Sequence, residues 1–188
     1  MVNYGSITIL VALTIVAIIT IPFILEESQE SKFTMDCTRE LKTHGFFRNC
    51  DLSNMDLSNM DLSGITLSGS DLSGSDLEGT NLSGALINSI NFTNANLSKT
   101  NMQKANIQDS IFKNTNLTDS DFSMAYAADA TFLQTNLEGA NFYKSHLTGA
   151  SFTDVDLINV NFTEAEFYTK ELGPTIFKNC KNFELCDK

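Results

Sequence analysis

The sequence predicts a wound coil, a chain that turns once in every five residues and stacks on itself. Three observations predict it. From Leu52 to Phe167 an apolar residue falls at every fifth position, twenty-four times without an insertion, and Ala127 is the one small member. Two residues before each of these centres a second position is selected for small or apolar side chains, beginning Cys50, Met55, Met60, Ile65, Ser70, Ser75, Thr80 and Ala85. The remaining three positions of each word are mostly Asp, Asn, Ser, Thr, Gly and Lys. A period of five matches neither the roughly 3.6-residue repeat of a helix nor the two-residue repeat of a strand, so each word needs its own turn.

The words "ANLSK", "ANIQD", "TNLEG" and "ANFYK" resemble the pentapeptide-repeat family pattern A(D/N)LXX, and the match runs from Cys50 to Thr169. The resemblance implies an all-β fold: a right-handed quadrilateral β-solenoid with four words per coil and therefore about six coils. At about 4.8 Å per layer the coils would make a rod roughly 29 Å long. The residues support a 20-residue coil independently. Leu57, Leu77, Leu97, Leu117, Leu137 and Leu157 form one column at that spacing. Leu52, Leu72, Phe92, Phe112, Phe132 and Phe152 form a second, and Leu62, Leu82, Met102, Phe122, Phe142 and Phe162 a third. Phe thus fills two opposite sides of the later coils while mostly Leu fills the other two, a size-matched interior of the kind close packing demands.

Upstream of the repeats, the first 25 residues carry no Asp, Glu, Lys or Arg. The stretch "ITILVALTIVAIITIPFIL", residues 7–25, would be about 28 Å long as a helix, enough to span a bilayer core. We therefore divide the chain into residues 1–31, a hydrophobic helix with an acidic linker, and residues 32–188, the solenoid with its caps. No basic stretch precedes the span and no A-x-A-like site follows it, which favours a retained single-pass anchor over a signal peptide cleaved before secretion. The segment "DCTRELKTHG" reads as a short N-terminal capping helix, with Asp36 as N-cap and Gly45 as its stop. At the far end Leu172 and Phe177 keep the five-residue phase, but Gly173-Pro174 breaks the word, and an irregular cap is expected.

Topology receives opposed signals. Lys32, Arg39 and Lys42 follow the span and no basic residue precedes it, which would hold the rod in the cytoplasm. The four cysteines argue otherwise. Cys37 and Cys50 flank the start of the rod, and Cys180 and Cys186 lie past its end. With the two couples roughly 29 Å apart and disulfides needing Cα atoms within about 7 Å, the pairings left are Cys37–Cys50 and Cys180–Cys186. Disulfides persist in oxidising compartments, so the rod is placed outside the cytoplasm, reduced cysteines being the alternative.

Chemistry is sparse. His44 and His146 are the only histidines and are far apart on the rod, and no phosphate loop, HExxH or EF-hand spacing occurs. No enzyme, cofactor or metal site is expected. The Asp series Asp51, Asp56, Asp61, Asp71 and Asp76 could be read as a cation site, but Asx side chains that bond nearby backbone in turns explain it better. Gly64, Gly69, Gly74, Gly79 and Gly84 close successive words and ease their corners. Asn-x-Ser/Thr at Asn81, Asn91, Asn96, Asn116 and Asn161 follows from the repeat grammar and carries little information on glycosylation.

Function is sought where the grammar breaks. On two faces the residue before the centre is always Asp or Asn. The other two, which adjoin, deviate: one reads Thr66, Leu86, Asn106, Tyr126, His146 and Glu166, the other Asp51, Asp71, Asn91, Ile111, Thr131 and Ser151. Leu86, Ile111, Tyr126 and Leu133, with His146 beside them, form the candidate binding surface, since exposed apolar patches mark partner sites. The expected function is a membrane-anchored, extracytoplasmic rod that binds an unknown protein partner or acts as a scaffold, without nucleic acid. A structural spacer with no ligand is the first alternative. The second comes from the resemblance, because the family includes acidic rods that mimic DNA and inhibit topoisomerases. The net charge of −11 agrees with that in sign, while the anchor and cysteines fit it poorly.

Overall fold

The computed structural model describes residue 37, residues 47–169, 173–174, 176–178 and residue 184. All of them belong to one compact unit, Asp36–Lys188; the other is Met1–Met35. The expected span at residues 7–25 and the Cys180–Cys186 pair lie outside the described residues. So does the expected capping helix, except for Cys37, which is helical. Among the described residues no helix is long and apolar enough to cross a membrane.

Each five-residue word makes one side of a coil because its backbone bonds are shared with its neighbours along the stack. The Leu72 N–H donates to the Asn91 carbonyl one coil above (2.9 Å), and the Asp71 N–H to the Cys50 carbonyl one coil below (2.8 Å). Between centres the chain turns: the Ser75 N–H closes on the Leu72 carbonyl at 3.2 Å. The residue two places after the centre adopts positive φ, as a type II turn requires. Parallel bridges connect residues 20 apart from Asp51↔Asp71 to His146↔Glu166, so four words complete one coil.

On one face the turns open into strands. β1 (Ile111–Lys113), β2 (Thr131–Leu133) and β3 (Ser151–Thr153) pair in parallel in 20-residue steps. Three-residue strands replace turns where a Phe centre follows Ile, Thr or Ser. Phe92 follows Asn91, whose Oδ1 accepts from the Thr93 N–H (3.1 Å) and hydroxyl (2.6 Å), and there the turn persists.

The last step departs from the count. An antiparallel pair, β4 (Tyr168–Thr169) with β5 (Gly173–Pro174), interrupts the coil, and β6 (Ile176–Lys178) then joins β3 with Phe152 opposite Phe177. Phe177, 25 residues after Phe152, takes the seat that a strict 20-residue coil gives Leu172. At the other end the stack begins one word earlier than expected. Phe47 is buried, and its N–H donates to the Thr66 carbonyl at 2.7 Å.

The interior is the set of centres, nearly all fully buried. From Phe92 upward one column stacks ring on ring through Phe112, Phe132, Phe152 and Phe177, with centroids 4.6–5.2 Å apart. Phe122, Phe142 and Phe162 form a second stack. The columns mesh edge to face at 5.7–6.2 Å, the two geometries that ring quadrupoles favour. Buried hydroxyls two places before the centres bond carbonyls of the coil below: Thr80 to Leu57 (2.7 Å), Thr100 to Leu77 (2.9 Å), Thr115 to Phe92 (3.0 Å). Thr135 Oγ1 is the exception among the described side chains, buried and without a partner.

Candidate interaction surface

Where Asp or Asn precedes the centre, its side chain does two local jobs. Its Oδ1 accepts the N–H two residues on, as Asp51 does from Ser53 (3.1 Å) and Asn96 from Ser98 (3.2 Å). An Asn also donates Nδ2 to the Asx oxygen of the coil below: Asn116 to Asn96 (3.1 Å) and Asn96 to Asp76 (3.0 Å). On another face Asn161 donates to Asn141 (2.9 Å) and Asn141 to Asp121 (3.1 Å). Ionised Asp has no donor, so it ends such a ladder from below. Ser53 and Ser58 donors hold the Asp51 and Asp56 carboxyls below the usual range. No three His, Cys, Asp or Glu among the described residues are placed to hold a metal ion.

The candidate residues sit where this ladder is interrupted, and they fall into two groups. Leu86, Tyr126 and His146 share one column, with Asn106 between Leu86 and Tyr126. Leu86 is 45% exposed and Tyr126 40%. The Tyr126 and His146 rings lie 5.6 Å apart, and His146 Nδ1 is 2.6 Å from Glu166 Oε2. Ile111, 45% exposed, and half-buried Leu133 lie on the adjoining β1–β2–β3 face, before and after their respective centres. Lys113 and Thr153 pair with Leu133 on either side. Between the groups the chain passes the exposed turn residues Asp109 and Asp129, so the expected strip is two apolar patches flanking a polar edge.

Two exposed apolar residues escaped sequence reasoning. Ile158, 40% exposed, lies on an Asx-bearing face. Met124, 46% exposed, is two residues from Tyr126 and extends its patch. It occupies the positive-φ seat (φ 56°), which the other words fill with Gly, Asn, Asp, Lys, Ser, Gln or Glu. That outlier was visible in the sequence as the one apolar residue in its column of turn positions. Beside it the Lys144 ammonium lies 5.0 Å from the Tyr143 ring and 3.3 Å from Glu164, and Tyr143 and Glu164 raise it above the usual lysine range.

At the N-terminal end the structure joins Cys37 to Cys50, Cα atoms 6.0 Å apart. Cys50 is buried, its N–H donates to Ser70 Oγ (3.0 Å), and its carbonyl accepts from Asp71, so the disulfide ties Cys37 to the first coil.

A stack of four-sided coils, apolar inside and grammatical outside except on two faces, defines a β-solenoid of five-residue repeats. Family models agree: one described as "Pentapeptide repeats (8 copies)" matches residues 47–84, and another, "Pentapeptide repeat region", matches residues 85–162. The chain belongs to the pentapeptide-repeat family. No curated protein matches it. Among solved structures it is similar to a pentapeptide repeat protein from the Arabidopsis thaliana thylakoid lumen, 24% identical, covering 52% of this chain and 64% of that one, TM-score 0.39. It is also similar to a trypsin-treated variant of QnrB1, a plasmid-mediated fluoroquinolone resistance protein, at 21% identity over 72% of this chain and 81% of that one, TM-score 0.43. HetL, involved in heterocyst differentiation regulation in Nostoc sp. strain PCC 7120, is 18% identical over 71% of this chain and 90% of its own, TM-score 0.30.

Proposed function

We propose that the coil stack is a protein-binding or scaffold module, anchored in a membrane through residues 7–25 with the solenoid outside the cytoplasm. Its two interrupted faces receive the partner. One observation carries the reading: Leu86, Ile111 and Tyr126 are exposed in the very seat that Asp or Asn fills on the other two faces. A ladder residue stabilises its own turn and the coil below, so replacing it with an exposed apolar group forgoes that bonding and adds apolar surface to water. Tyr and Met are also residue types enriched in protein interfaces. The Cys37–Cys50 disulfide supports an oxidising compartment.

The test is a full-length chain carrying Leu86→Ser, Ile111→Ser, Tyr126→Ser and Leu133→Ser together, crosslinked in its native cells. Loss of the stoichiometric partner with unchanged circular dichroism is expected. Retained capture refutes the surface, and no stoichiometric partner of the unmutated chain leaves the spacer reading. Topology is read by membrane-impermeant maleimide on intact cells: labelling only after reduction is expected, and labelling that needs lysis but no reductant refutes the placement.

A further inference from the structure

The edge where the Tyr126 face meets the preceding face carries a charge distribution unlike the rest of the chain. Two columns run along it. The turn residues are Gly64, Gly84, Lys104, Met124 and Lys144; two places after each stand Thr66, Leu86, Asn106, Tyr126 and His146. None of these ten is acidic, in a chain with 23 Asp and Glu against 12 Lys and Arg. Acids return only one coil higher, where Glu164 meets Lys144 at 3.3 Å and Glu166 meets His146 at 2.6 Å. Lys104 is exposed and has no ion-pair partner among the described residues.

Two apolar groups lie between the two lysines. Met124 stands one coil above Lys104 and one below Lys144, with Tyr126 beside it and Leu86 lower on the same edge. Tyr126 and Tyr143 are the only tyrosines between residues 47 and 167, and both adjoin this edge. From Leu86 to His146 is three coil steps, about 14 Å, the length of four or five extended residues.

We propose that this edge binds a short acidic segment of a partner protein, with an aliphatic or aromatic side chain against Met124 and Tyr126 and carboxylates at Lys104 and Lys144. The inference rests on the reading that the interrupted faces receive a protein, and adds the chemistry of what is received. An anionic membrane surface would satisfy the lysines, but the segment also matches the apolar seat and the 14 Å run, about three layers at roughly 4.8 Å each.

The experiment selects a phage-displayed random heptapeptide library on the full-length chain in detergent micelles. The strongest binder is then measured as a fluorescein-labelled synthetic peptide by anisotropy. Enriched sequences should combine Asp or Glu with Leu, Ile, Phe or Trp. Binding should weaken at least tenfold with Lys104→Glu plus Lys144→Glu, at least fivefold with Met124→Asn, and steadily with salt. All three side chains are exposed, and circular dichroism verifies the fold. Enrichment without acidic residues, or affinity unchanged by the lysine reversals, overturns the proposal. So does sedimentation with phosphatidylcholine–phosphatidylserine vesicles that the lysine reversals abolish while peptide binding is absent. If the native partner is lost in the fourfold Ser variant but kept by the lysine reversals, this inference fails and the broader reading stands; if both variants keep it, both fail.

Discussion

Replacing Phe132 by Leu and, separately, Phe92 by Leu distinguishes a ring lattice from a merely filled interior. Both rings are fully buried and stand in one column whose lower members are Leu52 and Leu72, so Leu fits the seat. Phe132 stacks on Phe112 (4.9 Å) and Phe152 (4.6 Å) and meets Phe122 (6.2 Å) and Phe142 (5.7 Å) edge to face. Phe92 stacks on Phe112 alone (4.9 Å). The loss of buried area is common to both substitutions, and their difference reports three additional ring pairs. At about 0.5 kcal/mol each, the low end for such pairs and the prudent value for coupled neighbours, Phe132→Leu should cost about 1.5 kcal/mol more than Phe92→Leu. For a chain of this size that is about 3–6 °C in Tm. Thermal and urea unfolding followed by circular dichroism would measure it. Equal destabilisation by the two variants would refute the lattice and leave the rings as space-filling groups.

Other expectations follow from single contacts. Thr135→Val removes a buried hydroxyl without a partner in a column where Val155 sits one coil above, and should stabilise by about 1 kcal/mol in urea unfolding. Gly64→Ala meets open space and should cost about 1 kcal/mol from its positive φ alone; Gly74→Ala would also bring Cβ to 2.5 Å from Asn54 Oδ1, should cost more, and should recover partly with Asn54→Gly, which suits the positive φ of that position. Partial burial of Asp121 opposes its ionisation, but donors from Gln103, Ser123 and Asn141 outweigh it and hold the carboxyl below the ordinary aspartate value of about 3.9. The stability it confers is therefore complete above that value and lost as pH falls through the folded-state pKa. Asp121→Asn should flatten the acid limb of a stability–pH profile, and an unchanged limb would reject the assignment. Cys37→Ser opens a link of sequence separation 13 and should cost about 3 kcal/mol, read as faster amide exchange at Leu52 and Asn54; unchanged exchange would show that the first coil needs no staple.

The coil was legible because a five-residue phase and a 20-residue column can be counted on the chain. What escaped was whatever preserves that phase. The hairpin at Gly173-Pro174 adds a whole word, so Leu172 and Phe177 both keep the five-residue beat, and only the three-dimensional register shows which one stacks on Phe152. Phe47 was missed for the converse reason. It is a centre preceded by Phe46 in place of Asp or Asn, and the surface grammar fails although the core seat is filled. The outward seats were only half legible. Columns assign Leu86, Tyr126 and His146 to one line and place Asp109 and Asp129 in the turn seats between that line and Ile111, but periodicity does not reveal that both acids are exposed there and divide the strip.

The word Ala125–Asp129 breaks three rules whose physical origins are unrelated. Ala127 is the smallest centre, Tyr126 replaces a ladder residue, and Met124, in the turn that leads into the word, is the one apolar side chain among the described residues in the left-handed region. That region costs roughly 1–2 kcal/mol for residues other than Gly, Asn or Asp. Burial does not repay Met124, which is 46% exposed. Elsewhere on the interrupted faces the lapses are spread among the coils and mostly polar, at Thr66, His146, Glu166, Thr131 and Ser151, as drift of an unused face would leave them. Here two lapses converge on adjacent outward seats, both are large and apolar, and lysines stand above and below one of them. Local rules broken together at one place, without a gain in turn or core stability, are what the proposed contact surface requires.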